Sequence, residues 1–403
     1  MSKEYPPPII STQQGSWAHN TVIKRWPETV KKILLENDFS KEIEDNLSNL
    51  IKDIPGQPIR HLKDLDAPDN KDWSSYISPY EGMNWLKIPW FFGEHYFYRR
   101  IIEGVDYFKL GLDPFRSQKQ AGLEQNFNDI QEFAAYLNGL EIGKGSEVLR
   151  GVIYFSLWGN QVDLSLWTAD SADNPKHRSQ RDLKAHLLAD DINRILNIFK
   201  KNDPITKRVD ILLDNAGFEL VCDLGLADTL LRKKLTSKVI LQCKVHPTFV
   251  SDVVKLDVNN TIDFLLNSTD KNAESLARRL MEYLKDGKIV VSDHFFWNSP
   301  LSMWDIPPDL WKELEKSDLI ISKGDANYRR LLGDRDWDFT LPFHQVVDYL
   351  PAPLAALRTL KAELAVGLDL DQIREIYNQD PEWLVDGKWG VIHYAQGINK
   401  ART

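Results

Sequence analysis

The sequence contains few cysteines and no long apolar run. Cys222 and Cys243 are the only cysteines among its 403 residues, too few for a disulfide framework or for a metal site made of four thiolates. No segment approaches the roughly 18 consecutive apolar residues of a membrane span, and Met1–Ile10 lacks the apolar core of a signal peptide. These absences predict a cytoplasmic globular protein that does not act at a membrane.

The sequence also lacks an excess of positive charge. Its 50 lysines and arginines face 59 aspartates and glutamates, which gives a net charge of −9. Because affinity for a phosphate backbone comes from clustered cations, this balance argues against a nucleic-acid partner. With 42% hydrophobic and 27% charged residues, the composition is typical of a folded chain. At about 150 residues per domain, the length suggests roughly two or three domains.

The two halves of the chain differ in the spacing of their apolar residues. Up to about residue 200 the spacing is mostly helical, as in Thr21–Leu35 and Leu183–Phe199. From about residue 205, short β-branched runs alternate with helical stretches, which favours a parallel sheet covered by helices on both faces. We predict an α/β protein with a mainly helical N-terminal domain (1–204) and a doubly wound, mostly parallel, Rossmann-like α/β/α domain (205–403). The predicted strands are 209–213, 238–243, 289–292, 319–322 and 391–394.

Three of the predicted strands lead into loops rich in side-chain oxygens. These loops are 214–217 (DNAG), 247–252 (PTFVSD) and 323–329 (KGDANYR). Ligands of open α/β sheets bind beyond the carboxyl ends of the strands, and carboxylates and carboxamides there suit a hard cation such as Mg²⁺ or Mn²⁺. Each loop alone also fits ordinary structure, namely a turn, a helix N-cap or a strand-to-helix connection. The prediction of a site depends on their coincidence at one edge of the sheet.

The same loops resemble the core of a known enzyme family. Asp214–Glu219, Pro247–Asp252 and Lys323–Arg329 are similar, in this order, to motifs of the metal-dependent damage-control phosphatases, long filed as a domain of unknown function. Arg358–Lys361 (RTLK) resembles the Arg-Thr-x-Lys motif of the third subfamily, which includes acidic-residue methyltransferase-like proteins. The resemblance extends into the N-terminal half, where the similar segments are 15–18, 25–27, 96–100, 113–115 and 158–165. The sequence departs from the family at Ala326, where leucine is common, and at His95, within a stretch where cysteine is common.

The resemblance implies a phosphatase that acts on a small phosphorylated metabolite, such as fructose 1-phosphate or fructose 6-phosphate. It implies one divalent metal ion (Mn, Mg, Ni or Co) held by Asp214, Asn215 and Asp252, with Asp214 and Asp252 as the catalytic residues. The phosphate of the substrate would be held by the loop from Asp325 and by Lys361. The implied substrate-binding residues are Asp214, Asn215, Asp325, Ala326, Asn327, Tyr328, Arg329 and Lys361.

The sequence does not decide which group attacks the phosphorus, nor the roles of three further residues. Asp214 could attack phosphorus itself and form an aspartyl phosphate, or a metal-bound water could attack while the aspartates position it. Asn160 and Asp163 are candidates to reach over from the helical domain and close the substrate pocket, with loop capping as the alternative. Glu219 is a secondary candidate, because a carboxylate in the first turn of a helix also complements the helix dipole.

Three rival functions are weighed against a phosphatase. Some family members have been described as S-adenosylmethionine-dependent carboxyl (glutamate) methyltransferases, but such a cofactor usually needs a glycine-rich turn where this chain has Asp214–Gly217. A haloacid-dehalogenase-like phosphatase would need a second acid two residues after the nucleophile, and Ala216 stands there. A non-catalytic module would bind a sugar phosphate without releasing phosphate. The sequence does not indicate an oligomeric state.

Overall fold

The computed structural model describes residues 5–140, 145–159, 184–200 and 207–398. The first part of the chain is helical, as its apolar spacing predicts, and a π-helical turn at Thr21–Arg25 joins its first two helices. The helices of this part are α1 (Trp17–Asn20), α2 (Trp26–Glu36), α3 (Lys41–Asp53), α4 (Asn70–Ile77), α5 (Trp90–Gly104), α6 (Tyr107–Leu110), α7 (Arg116–Gln125), α8 (Phe127–Gly139) and α9 (Gly145–Trp158).

Helix α5 is the centre of the helical part. All of its residues except Glu103 are buried, so other elements enclose it on every side. Its neighbours supply large aromatic surfaces, since Trp26 stacks on Phe97 with ring centroids 4.9 Å apart and packs edge-on against Trp85. This core also includes Ala362, which follows the sixth strand of the sheet, so the two parts of the chain share packing.

The second part of the chain is organised around one seven-stranded sheet. Its strands are β1 (Leu187–Asp190), β2 (Arg208–Leu212), β3 (Lys238–Cys243), β4 (Ile289–Asp293), β5 (Leu319–Lys323), β6 (Leu354–Thr359) and β7 (Gly390–Ala395). The strand order is β1-β7-β6-β5-β2-β3-β4. All neighbouring strands are parallel except β6 and β7, which are antiparallel. The predicted α/β class with a mostly parallel sheet is therefore confirmed.

Helices cover both faces of this sheet and create a separate core on each. One core joins α8 and α9 to the helices that follow β2 and β3, and the other joins β5, β6 and β7 to the segments around them. The helices of this part are α10 (Ile192–Lys200), α11 (Phe218–Arg232), α12 (Lys255–Leu266), α13 (Lys271–Lys285), α14 (Pro308–Leu314), α15 (Gly324–Leu332), α16 (Phe343–Val346) and α17 (Leu370–Gln379).

Two strands differ from the sequence predictions. Leu183–Phe199 has helical spacing, but β1 lies within it, because pairing with β7 gives Leu187–Asp190 a place at the edge of the sheet. Strand β6 is absent from the predicted strands, since its alanines are weak strand formers and two prolines precede it. The other strands agree with the predicted runs to within one or two residues.

The predicted domain boundary at residue 204 stays a prediction. Strand β1 and helices α8 and α9 precede this position, yet they pack with the sheet. In the described ranges, no helix is long and apolar enough to cross a membrane.

Candidate functional site

The strand order reverses direction between β2 and β5. After β2 the chain adds β3 and β4 on one side of it, and then returns to place β5 on the other side. In open α/β sheets the crevice at such a reversal, beyond the carboxyl ends of the strands, is the usual place for a ligand. Asp214 follows β2, Asp252 lies in the loop after β3, and Asp325 is the second residue of the helix after β5. The three loops singled out in the sequence therefore meet at this edge.

The loop after β3 is held against the loop after β2 by backbone hydrogen bonds. Ala216 N–H donates to the carbonyl of Ser251 at 2.7 Å, and Val253 N–H donates to the carbonyl of Asp214 at 2.9 Å. Asn215 and Asp252 are thereby paired as an isolated β-bridge. Phe249 and Val250 adopt left-handed backbone conformations with φ of 47° and 70°, which are costly for such residues. The two strained residues directly precede Ser251 and Asp252, in the loop that meets Asp214 and Asn215.

Gly324 forms the opposite wall of the site. Its φ is +82°, and a Cβ atom at this position would overlap with the carboxylate of Asp214. Only glycine lets the turn between β5 and α15 approach Asp214 so closely. The glycine in the KGD segment is therefore required both by its backbone conformation and by the carboxylate beside it.

The carboxylates at this edge are buried and close enough to affect one another. Asp214 is 7% exposed, and its pKa is raised well above the ordinary value by burial and by the negative charges of Asp252 and Glu219. Asp252 is 2% exposed, and burial raises its pKa to about 6 although Lys244 opposes the shift. The Lys244 ammonium lies 3.4 Å from Asp252 Oδ2. Burial lowers the pKa of Lys244 to about 8.

Asn215 lies between these acids. Its amide nitrogen donates to Asp214 Oδ2 at 2.7 Å and to Glu219 Oε2 at 2.9 Å. Its carbonyl oxygen Oδ1 accepts a hydrogen bond of 2.5 Å from the hydroxyl of Ser251. The carboxamide therefore turns its nitrogen toward Asp214 and Glu219 and its oxygen toward the Ser251–Asp252 side.

The donor set fits a hard divalent cation. Asp252 Oδ2 is buried and accepts no hydrogen bond, although the Lys244 ammonium lies 3.4 Å away, so this oxygen keeps lone pairs for a bound cation. Over the described residues, no group of three His, Cys, Asp or Glu side chains has metal-binding geometry. A site here would consequently depend on the Asn215 carboxamide as well as on Asp214 and Asp252. All three offer oxygen, which Mg²⁺ and Mn²⁺ prefer.

The first residues of the predicted phosphate-binding loop face the site edge. Asp325 Oδ1 accepts hydrogen bonds from Arg358 Nε at 2.7 Å and from the backbone N–H of Lys361 at 3.1 Å. The RTLK segment is thereby fixed to the start of α15. The Lys361 side chain is exposed, and its positive charge partly opposes the rise in the pKa of Asp214. Ala326 is half-buried in the first turn of α15.

The last three residues of that loop have side chains engaged in the protein interior, and their role in phosphate binding stays a prediction. Asn327 donates to the carbonyls of Leu213 and Lys323 at 3.1 and 2.9 Å and so ties β2 to β5. The hydroxyl of Tyr328 lies 3.3 Å from His393 Nδ1. This placement arises because α15 starts at Gly324, and its helical turn directs residues 327–329 into the surrounding cores.

Arg329, also predicted to bind phosphate, is buried among contacts with α5 and with Asp334. It forms ion pairs with Glu94 at 2.5 Å and with Asp334 at 2.8 Å, and its guanidinium lies 3.9 Å from the ring centre of Trp90. These contacts are those of a structural arginine that joins α15 to α5. Asn160 and Asp163, predicted to close the pocket, lie outside the described residues.

Two buried lysines belong to the site although the sequence analysis gave them no role. Lys244 follows β3 directly, and Lys323 is the last residue of β5. Lys323 is 1% exposed and lies 3.1 Å from Glu219 and 3.0 Å from Asp223. A lysine at the carboxyl end of a predicted strand is a usable signal, because that end is where ligands of an α/β sheet bind.

The fold and the site define an α/β protein whose candidate ligand site, lined by oxygen donors, lies at the reversal of strand order. Residues 21–376 match the family model described as "Damage-control phosphatase ARMT1-like domain". The chain belongs to this family, which confirms the resemblance seen in the sequence. Family membership implies a phosphate-ester hydrolase acting on a small phosphorylated metabolite, and the comparisons give no support to the methyltransferase alternative.

Relatives named damage-control phosphatase ARMT1 match nearly the whole chain. The protein of Xenopus laevis is 33% identical over 98% of this chain and 100% of its own length. That of Homo sapiens is 32% identical over 96% of this chain and 98% of its own length. A crystal structure of a DUF89 family protein from Pyrococcus horikoshii matches with a TM-score of 0.47 and 16% identity, covering 92% of this chain and 96% of that one.

Proposed function

We propose that this chain is a divalent-cation-dependent phosphatase that removes phosphate from small phosphosugars of the fructose 1-phosphate or fructose 6-phosphate type. The observation that carries the proposal is the meeting of Asp214, Asn215 and Asp252 beside Gly324, with a buried oxygen of Asp252 that accepts no hydrogen bond and pairs with the Lys244 ammonium 3.4 Å away. The family matches support the hydrolysis of a phosphorylated metabolite. The sugar and the metal are our proposals.

The chemistry of a phosphate monoester explains why such a site is needed. The dianion repels an attacking oxygen, so catalysis requires neutralisation of its charge and alignment of the attacking and leaving groups. Asp214, Asn215 and Asp252 would hold the cation, which when bound supplies positive charge to the phosphate oxygens. Lys361, exposed at the edge of the site, would add a mobile charge for the phosphate. Asp325 would hold the RTLK segment in position through its bond to the Lys361 backbone.

We propose that Asp214 takes part in the reaction directly. It is backed by Gly324, and one of its oxygens is fixed by the Asn215 amide. Direct attack on phosphorus leaves phosphate bound to Asp214 in acid-quenched enzyme, whereas attack by a water positioned by Asp214 and Asp252 leaves none. Quenching during turnover of a labelled substrate distinguishes these two mechanisms.

Phosphate release from a panel of phosphorylated metabolites tests the proposal. The chelator-treated protein should be inactive, and Mg²⁺, Mn²⁺, Co²⁺ or Ni²⁺ should restore release from phosphosugars. Asp252→Asn and Asp252→Ala should lower kcat at least about 100-fold, because even residues that only support metal ligands cost 10–100-fold when changed.

The matched control is Asp263→Ala, which removes an exposed carboxylate from α12. Its rate should equal that of the wild type. Full activity in excess chelator, or near-normal rates in the Asp252 variants, would refute the metal assignment.

A further inference from the structure

Lys323 is a fully buried cation whose ammonium group has three acceptors. It donates to the backbone carbonyl of Ser156 in α9, to Glu219 Oε1 at 3.1 Å, and it lies 3.0 Å from Asp223 Oδ1. Glu219 and Asp223 are one turn apart on α11. An ammonium group has three donors, so Lys323 is saturated and its direction is fixed.

Glu219 connects this lysine to Asn215. With Oε1 facing Lys323, its other oxygen, Oε2, accepts from the Asn215 amide nitrogen at 2.9 Å. The same nitrogen donates to Asp214, while the Asn215 oxygen accepts from Ser251. Every polar atom of the Asn215 side chain is therefore engaged, and the exchange of its nitrogen and oxygen would place two acceptors face to face.

We propose that Lys323 and Glu219 are positioning residues that fix the polarity of the Asn215 carboxamide, so that its oxygen lies on the Ser251–Asp252 side where the cation would bind. The inference rests on the proposed function, because it requires a divalent cation at Asp214, Asn215 and Asp252. A carboxamide binds a cation only through its oxygen, and its N–H group repels one. Residues that orient a ligand in this way strongly affect metal affinity without touching the metal.

Because Lys323 is a donor, residue 219 must offer an acceptor to it as well as to the Asn215 amide. A carboxylate presents an acceptor to both neighbours, Lys323 and the Asn215 amide. In Glu219→Gln, Lys323 would attract the oxygen of the new carboxamide and leave its nitrogen facing the nitrogen of Asn215. Two donors cannot pair, so the Asn215 nitrogen would lose one of its two acceptors, and Asp214 alone would oppose the turn that brings this nitrogen toward the cation.

Asp223→Asn is the matched control. Asp223 is on the same helix and contacts the same lysine, and it bonds to Ser156 Oγ at 2.6 Å rather than to Asn215. Both substitutions remove one carboxylate charge from Lys323. Only Glu219→Gln replaces the acceptor next to the Asn215 nitrogen with a donor.

The experiment measures the Kd of Mn²⁺ by calorimetry on the metal-free full-length protein, together with its thermal unfolding. Glu219→Gln should weaken binding by about 10–100-fold, and Asp223→Asn should leave Kd close to the wild-type value. Equal weakening by both variants would overturn the inference, since it would reflect lost charge or lost packing around Lys323. Unchanged affinity in Glu219→Gln would overturn it as well.

The Asn215→Asp background separates positioning from direct ligation by Glu219. An aspartate offers oxygen in either orientation, so it needs no positioning, and a negative Glu219 beside it is unfavourable. In this background Glu219→Gln should leave Mn²⁺ affinity unchanged or increase it. A direct ligand, or a purely electrostatic role, would make the same substitution weaken binding in both backgrounds.

Failure of the proposed function has a different outcome. If the wild-type protein bound no divalent cation, or hydrolysed phosphosugars equally well without one, the metal site itself would be absent. If the wild type binds Mn²⁺ and the variants behave alike, the metal site stands and only the positioning role of Lys323 and Glu219 is refuted.

Discussion

Gly324 lies so close to Asp214 that no larger residue can occupy its position without moving the carboxylate. Its backbone is also left-handed. These two requirements can be separated, because Gly287 has a similar φ of +67° but nothing within 4 Å of a Cβ atom built there. The pair of glycines thus allows the effect of backbone strain to be distinguished from the effect of the close approach.

We predict that Gly324→Ala abolishes phosphate release and metal binding, whereas Gly287→Ala only lowers stability. The left-handed conformation costs a non-glycine residue about 1–2 kcal/mol in both variants. The further loss in Gly324→Ala comes from displacement of Asp214. Denaturant unfolding and Mn²⁺ titration of both variants check this, and equal metal affinity in the two would contradict it.

At the scale of elements, α15 joins the sheet to the helical part of the chain. Its consecutive arginines contact consecutive residues of α5, since Arg329 pairs with Glu94 and Arg330 lies 2.9 Å from His95 Nε2. The start of the same helix holds Gly324 and Asp325 at the site. We therefore expect that weakening the contact between α15 and α5 lowers the free energy of unfolding more than it affects the site.

We predict that Glu94→Gln and Arg329→Lys both destabilise the protein, by about 1–3 kcal/mol each, because a buried hydrogen bond between charged groups is weakened. Below the melting temperature, KM for the phosphosugar should stay near the wild-type value in both variants. Urea unfolding and steady-state kinetics measure the two effects. A large increase in KM for Arg329→Lys alone would instead support the phosphate-binding role expected from the sequence.

At the scale of the whole molecule, buried neutral histidines make stability depend on pH. Burial, assisted by the positive charge of Arg358, lowers the pKa of His393 to about 3, and burial lowers that of His246 to about 4. These values lie below the 6.5 of an unfolded histidine. The unfolded chain therefore binds protons first, and the stability that each neutral histidine contributes above pH 6.5 is lost as pH falls toward its folded pKa.

We predict that His393→Phe removes one such contribution. Phenylalanine can keep the stacking on Phe343, where the ring centroids are 4.6 Å apart. Between pH 7.5 and pH 5 the wild type should lose about 2 kcal/mol of unfolding free energy relative to the variant, at 1.36 kcal/mol per unit of pKa difference. Urea unfolding at several pH values measures this difference, and parallel pH profiles for the two proteins would contradict it.

Local patterns sufficed for most of the architecture and for the residues at the strand ends. Strands β2, β3, β4, β5 and β7 are recognisable because β-branched apolar runs alternate with helical spacing. Asp214, Asn215 and Asp252 lie in the loops that follow two of these strands. Because parallel strands end at one edge of a sheet, their meeting follows from the order of elements along the chain.

Long-range packing decided what each remaining side chain contacts. Arg329 and Glu94 are 235 positions apart, and Lys323 and the carbonyl of Ser156 are 167 apart. Strand β1 owes its existence to pairing with β7, in which Leu187 meets Gly390, slightly more than 200 residues later. The local sequence predicts the periodicity and the turns of a segment, but it does not predict which distant element packs against that segment. For this reason the sequence determined the fold class, the family and the oxygen-rich edge, whereas only the tertiary structure decided that Arg329 is buried between two acids and that Lys323 stands behind Asn215.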